Sequence, residues 1–156
     1  MSTTQGVNDM KERFEMFTLL INRISRNIRK IKNEEMASYH LRSAHISCLY
    51  YLYISGNLTA STLCEKCEED KATISRSLDY LESNGYLTRE PVNTKYYKSP
   101  LILTDKGMEV GKKIADKIDR VLDEISVTLT EEERISFYRS LSVISDSLDT
   151  VAQKYE

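Results

Sequence analysis

The side chains in this 156-residue chain with the plainest ligand chemistry are His45-x-x-Cys48 and Cys64-x-x-Cys67. On helices, a spacing of three puts each pair on one face, so together they would offer four ligands for zinc. The same spacing suits a plainer role. Cys64 and Cys67 fall on the inward side of a short amphipathic stretch, where a thiol behaves as a small hydrophobe. We adopt that role and expect no metal and no cofactor. The three cysteines, Cys48, Cys64 and Cys67, are an odd number without disulfide-framework spacing, which points to a reducing cytoplasm. No Ser/His/Asp arrangement, phosphate-binding glycine loop or carboxylate pair stands out, and Glu131 to Glu133 reads as a helix start. The chain is not expected to be an enzyme.

A second kind of chemistry lies in Asp70 to Arg89, DKATISRSLDYLESNGYLTR. Asp70 is placed to cap a helix by accepting a bond from the Thr73 backbone N–H. Ile74, Leu78 and Leu81 recur at helical spacing as one narrow apolar face. Asn84-Gly85 ends the helix, since glycine adopts the left-handed conformation a C-terminal cap needs. With that stripe inward, Ala72, Thr73, Arg76, Tyr80 and Ser83 turn outward, with Lys71 at the first turn. Small, hydroxyl and cationic groups at a helix N-terminus suit a DNA groove. Taken alone, the stretch fits equally an amphipathic helix with a solvated face.

The elements around it decide between those readings. Thr59 caps a short preceding helix, ASTLCEKCE, with Leu63, Cys64 and Cys67 inward; two short helices joined by a tight turn make a helix-turn-helix. Before it, AHISCLYYLYIS is apolar over most of its circumference and reads as the central buried helix, closed by Gly56-Asn57. After Gly85, Leu87 and the Ile102 region read as two strands of a hairpin. Its polar tip carries Asn93, Thr94, Lys95 and Lys98, and Pro91 and Pro100 confine it to edge-like pairing. A ribbon in this position is a wing, whose cations can reach phosphate or the minor groove.

The chain's two ends share a different pattern. Met10, Phe14, Phe17, Ile21, Ile24, Ile28 and Ile31 step by fours and threes, the repeat of a helix–helix seam, and residues 1–7 are expected to fray. Arg23, Arg26, Arg29, Lys30 and Lys32 crowd the far end, where the helix dipole favours cations. Thr104 caps a long helix with Val110, Ile114, Ile118, Val121, Leu122, Ile125 and Leu129 on one side. Thr130 to Glu133 is a capping box, opening a last helix with Phe137, Leu141, Ile144, Leu148, Val151 and Tyr155 as its seam. Two terminal seams are most economically satisfied by a two-fold homodimer; an internal antiparallel bundle is the alternative.

Composition agrees with a helical globular chain: 40% hydrophobic, 29% charged, five glycines and two prolines. The formal net charge of −2 gives no global basic signature, so any nucleic-acid surface must come from clustering on one face. No apolar run approaches a membrane span, and the N-terminus lacks the pattern of a signal peptide. A cytoplasmic protein with no membrane partner is expected.

The order of elements resembles the MarR family of winged-helix regulators over nearly the whole chain. The resemblance rests on LTASTLCEKCEEDKATISRSLDYLESNGYLTRE and on LILTDKG, which are similar to the family's recognition-helix region and to the start of its fifth helix. It implies a mainly α fold: a winged helix-turn-helix with a small two-stranded β-wing and N- and C-terminal dimerisation helices. On this reading residues 1–156 are one domain, with 8–33 and 130–156 as dimerisation helices, 43–104 as the DNA-binding lobe and 105–129 as a linking helix. It further implies a homodimer on double-stranded operator DNA, acting as a repressor released by a small aromatic or phenolic effector. Carried over by position, Lys71, Thr73, Arg76 and Ser77 face the groove, with Lys95 and Lys98 on the wing. Tyr39, His40, His45 and Tyr51 lie near where an effector pocket would be, though each also fits an ordinary core or interface role. The wing departs from the family pattern, with Thr94-Lys95-Tyr96-Tyr97-Lys98 where many members have Asp-x-Arg; lysine lacks the planar fork of arginine. Some members sense oxidants through a cysteine near the N-terminal helix, where this chain has none. That altered wing and the near-neutral charge leave a second reading, a winged-helix interaction module without specific DNA binding.

Overall fold

The computed structural model describes residues 2–90 and 98–155, with no side-chain description for residues 2–8, 10, 11 and 14. The elements run α1 (Ser2–Glu35), a 3-10 turn (Ala37–Tyr39), α2 (Ser43–Ser55), α3 (Ala60–Cys67), α4 (Lys71–Ser83), β1 (Leu87–Arg89), β2 (Leu101–Leu103), α5 (Asp105–Ser126), α6 (Glu131–Ala152) and a closing 3-10 turn (Gln153–Tyr155). The architecture is the mainly helical winged helix-turn-helix expected from the sequence.

The expected start and stop signals work as local chemistry. Thr59 Oγ1 accepts from the Thr62 N–H at 3.3 Å and opens α3. Thr104 Oγ1 accepts from the Gly107 N–H at 3.1 Å and opens α5. The Thr130–Glu133 box is complete in both directions. Two boundaries differ from expectation. α1 begins at Ser2 rather than at residue 8, since no proline interrupts residues 2–9 and a nascent helix propagates cheaply once nucleated. α5 stops at Ser126 instead of 129, where Thr128 and Leu129 turn back to bond the Ile125 and Ser126 carbonyls.

The chain forms two compact units, residues 1–114 and 115–156. In the first, α2, α3 and α4 pack on one another. Their core is Ile46, Cys48, Leu49, Leu52, Ala60, Leu63, Ile74, Leu78 and Leu81, continued by Leu87, Leu101, Val110 and Ile114. Burying each large aliphatic side chain contributes about 1.5–3 kcal/mol, which is what holds such short helices in place. The strands pair antiparallel, Leu87 with Leu103 and Arg89 with Leu101. One contact had no sequence signal: the Leu101 N–H bonds the Leu58 carbonyl at 2.9 Å, so the α2–α3 connection adds an edge to the wing root.

The second unit has no buried residue among those described, and α6 turns Phe137, Ile144, Leu148 and Val151 to solvent. Within the first unit α1 does likewise with Phe17, Ile21, Ile24, Ile28 and Ile31. Ile28 is 49% and Leu148 53% exposed, so neither seam is covered within the chain. Met10 and Phe14, the first two seam positions, lie outside the described side chains.

Candidate nucleic-acid interface

The candidate surface is built on α4. Both Asp70 carboxylate oxygens engage Thr73: Oδ1 accepts its N–H at 2.7 Å and Oδ2 its hydroxyl at 3.0 Å. These bonds hold the Asp70 carboxyl below the usual carboxylate range. Arg76 Nη2 donates to Thr73 Oγ1 at 3.3 Å, so Asp70, Thr73 and Arg76 form a chain across the first turn. Lys71, Ala72 and Arg76 are exposed and Thr73 is half-buried.

Ser77 does not belong to this face. It is only 4% exposed, because Ile74, Ser77, Leu78 and Leu81 form a single buried stripe with the three- and four-residue steps of a helix. The carry-over by position placed it in the groove; the helix phase set by Ile74 and Leu78 turns it to the core. Tyr80, also expected outward, is half-buried and bound elsewhere. Its hydroxyl donates to the His40 carbonyl at 3.1 Å, and its ring stacks on His45 at 4.4 Å between centroids, 7° from parallel. Tyr80 thus fastens the last turn of α4 to the segment leading into α2.

The wing root is tied to the same helix. Arg89 on β1 donates to Glu82 at 2.9 Å and to Asp79 at 3.3 Å. Its side chain is only 11% exposed, so the arginine of the Leu-x-Arg exit braces α4 instead of reaching outward. The readable signal was the pair of acids one turn apart on α4, just before the turn. Lys106 supports the other side, donating to the Asn84 carbonyl at 2.7 Å and lying 4.2 Å over the Tyr86 ring. Of the two wing lysines, Lys98 is exposed; Lys95, with Asn93 and Thr94 of the tip, lies outside the described residues.

The four residues assigned to an effector pocket have separate partners. The Tyr39 hydroxyl accepts from Lys113 Nζ at 3.1 Å; Glu109 first, then Tyr39, raise the Lys113 ammonium above its usual range. His40 is exposed and takes a left-handed backbone, φ 57°, at the end of the 3-10 turn. His45 Nδ1 accepts the Arg42 N–H at 3.1 Å, satisfying that backbone donor at the start of α2; burial, then the Arg42 charge, lower its pKa. Tyr51 faces Lys66 of α3 instead, 5.7 Å from its ring centroid, and burial pushes its phenol up. Among the described residues no group of three or more His, Cys, Asp or Glu side chains is arranged to hold a metal ion.

Comparison with known proteins agrees with this geometry. Residues 41–94, from the lead-in to α2 through α4 and β1, match the family model described as the MarR family. An uncharacterized HTH-type transcriptional regulator of Bacillus subtilis, YwoH, is 26% identical over 117 residues, which is 75% of this chain and 85% of that protein. The structure of NMB1585, a MarR family regulator from Neisseria meningitidis, superposes with a TM-score of 0.79 at 17% identity, covering 92% of this chain and 99% of that one. S. aureus MepR, in a complex with DNA, gives a TM-score of 0.74 at 20% identity over 85% and 97% of the two chains. Fold, matched segment and relatives agree: residues 41–94 match the MarR family model, and the chain is similar in fold and sequence to HTH-type and MarR-family regulators.

Proposed function

We propose that the chain is a cytoplasmic, homodimeric transcriptional repressor that binds a pseudo-palindromic operator through α4 of each protomer and is released by a small effector. The observation that carries this reading is the first turn of α4, where Lys71, Ala72 and Arg76 stand exposed on a helix fixed by its cap, its buried stripe and Tyr80. Arg76 is the base-reading candidate, since its fork can be bidentate to guanine or phosphate. Lys71 and Thr73 position the helix on the backbone, with Lys95 and Lys98 reaching phosphate from the wing. S. aureus MepR, solved as a complex with DNA, shares the fold, which supports DNA as the partner.

The dimer is supported by the uncovered apolar rows of α1 and α6, which a two-fold partner would bury. In this reading 8–33 and 130–156 are the dimerisation helices, 43–104 the DNA lobe and 105–129 the linking helix. Tyr39, its hydroxyl bonded to the Lys113 ammonium and with His40 next in sequence, offers an aromatic and cationic setting suited to an aromatic or phenolic anion. No described helix is long and apolar enough to cross a membrane.

The test is fluorescence anisotropy on the DNA preceding the chain's own gene. Binding is expected to weaken steeply with salt, and Arg76→Ala to weaken it by about five- to 150-fold, the loss of one bidentate contact of about 1–3 kcal/mol. Absence of binding at low salt overturns the proposal.

A further inference from the structure

Arg76, the base-reading candidate on α4, is not a free arm. Its Nη2 donates to Thr73 Oγ1 at 3.3 Å, and the Thr73 hydroxyl donates in turn to Asp70 Oδ2 at 3.0 Å. The other Asp70 oxygen, Oδ1, accepts the Thr73 N–H at 2.7 Å. Hydrogen count fixes the direction of this chain. A hydroxyl has one hydrogen and two lone pairs, an ionised carboxylate only accepts and a guanidinium only donates. The Asp70 carboxyl is held below the usual carboxylate range, first by the Thr73 N–H and then by its hydroxyl, so it is ionised at neutral pH. The Thr73 hydrogen therefore goes to Asp70, and a lone pair is left facing Arg76.

We propose that Thr73 is a positioning residue for sequence recognition: its hydroxyl, aimed by Asp70, holds the Arg76 fork over the first turn of α4 to face a guanine edge. The proposal rests on the DNA reading above and sharpens one part of it. Both Thr73 donors are committed to Asp70, so Thr73 acts on Arg76 and not on a phosphate. One Nη2 hydrogen goes to Thr73; the second, with those of Nη1, still makes the two parallel bonds that guanine O6 and N7 accept. Ordering a long, flexible side chain costs conformational entropy, which is met here on folding and not at the DNA. Selectivity follows from the same restraint. A mobile arginine swings to the nearest phosphate, which every sequence offers, whereas a held one meets its base edge or loses its partner.

Helix geometry makes the chain possible. Asp70 is the N-cap, Thr73 stands three residues on and Arg76 three further, so the three side chains line one strip of the helix surface. Side chains on a helix lean toward its N-terminus, which carries the guanidinium back over Thr73. Thr73→Val keeps the shape and removes the hydroxyl; Thr73→Ser keeps the hydroxyl. Asp70→Asn keeps an oxygen for the Thr73 N–H but sets an amide donor against the hydroxyl, whose hydrogen must then turn toward Arg76.

Fluorescence anisotropy is measured on the DNA preceding the chain's own gene and on a shuffled duplex of the same length, and the ratio of the two Kd values is the readout. Thr73→Val is expected to lower that ratio by about two- to tenfold through weaker operator binding alone, the usual cost of one side chain left to be ordered at an interface. Thr73→Ser keeps the parent ratio. In an Arg76→Ala background Thr73→Val has no further effect, as a double-mutant cycle requires of a hydroxyl that acts through the arginine. Asp70→Asn lowers the ratio as Thr73→Val does, its lost charge acting on both duplexes alike, and decides the matter if Thr73→Val unfolds the chain by circular dichroism. In the free protein the Arg76 Nε–Hε heteronuclear NOE falls in Thr73→Val and not in Thr73→Ser. An unchanged ratio in Thr73→Val overturns the proposal, and so does a loss that persists in the Arg76→Ala background. Equal loss on both duplexes, with a salt slope smaller by about one, marks a direct phosphate contact and also overturns it. A parent that binds neither duplex at low salt overturns the DNA reading instead. The NOE then still decides whether Thr73 holds Arg76, equal values in the parent and Thr73→Val refuting it.

Discussion

Gly107→Ala is the sharpest perturbation of the junction between α4, the wing and α5. A Cβ built on Gly107 would lie 1.9 Å from the Tyr86 carbonyl oxygen, 3.0 Å from its carbon and 3.1 Å from Leu103 Cδ2. The carbonyl would have to retreat by about 1 Å merely to reach the tightest contacts that proteins tolerate, and it is backbone, not a flexible side-chain end. It is also occupied, accepting the Thr104 N–H at 3.1 Å, so moving it disturbs the start of α5 as well. Overpacking in such sites costs about 1–3 kcal/mol and occasionally more, and this geometry belongs at or above the upper end. At a urea dependence of about 2 kcal/mol per molar, a loss of about 3 kcal/mol lowers the midpoint by about 1.5 M. Gly85→Ala is the internal comparison: its added methyl meets nothing within 4 Å, and only the left-handed backbone, φ 77°, opposes it. That costs about 1–2 kcal/mol. Urea melts of all three proteins at one protein concentration decide the matter. A Gly107→Ala midpoint within about 0.3 M of the parent, or above that of Gly85→Ala, would refute the packing argument.

Other expectations follow from contacts at the edges of the lobe. Tyr80→Phe removes the bond to the His40 carbonyl but keeps the ring on His45; a loss of about 0.5–1 kcal/mol in the same urea assay is expected, and no change would show that the hydroxyl bond contributes nothing. His45 has a folded pKa below its ordinary value of 6.5, first from burial and then from Arg42, so the unfolded chain binds the proton more readily. Stability is therefore complete above about pH 6.5 and falls as pH drops through the folded value. His45→Gln keeps an acceptor for the Arg42 N–H and should flatten that slope; an unchanged pH profile would point to another group. Replacing Leu148, 53% exposed on α6, with Glu should turn a dimer into a monomer by sedimentation at micromolar concentration. A stable dimer in that variant would place the interface elsewhere.

Much of the fold was legible because its boundaries are set by short-range chemistry. Asp70, Thr59, Thr104 and the Thr130 box cap the helices their spacing announces. The stripe of Ile74, Leu78 and Leu81 is buried as its periodicity requires. What was not legible depends on neighbours distant in sequence. Ser77 is the exception: the phase set by Ile74 and Leu78 already turns its side inward, and only the carry-over by position placed it outside. Tyr80 looked like an outward aromatic until His40 and His45, some forty residues earlier, supplied its partners. The candidate effector residues were close in sequence, yet Tyr51 turns to Lys66 while Tyr39 meets Lys113.

Arg89 has one more consequence. Its two ion pairs fasten β1 to the rear of α4, through Asp79 and Glu82, while the front of that helix stays open. The wing root is therefore joined to α4 at two points beyond the chain connection itself, so a displacement of β1 bears on that helix. Cutting the joint, with Arg89→Met, would leave two arms that move independently.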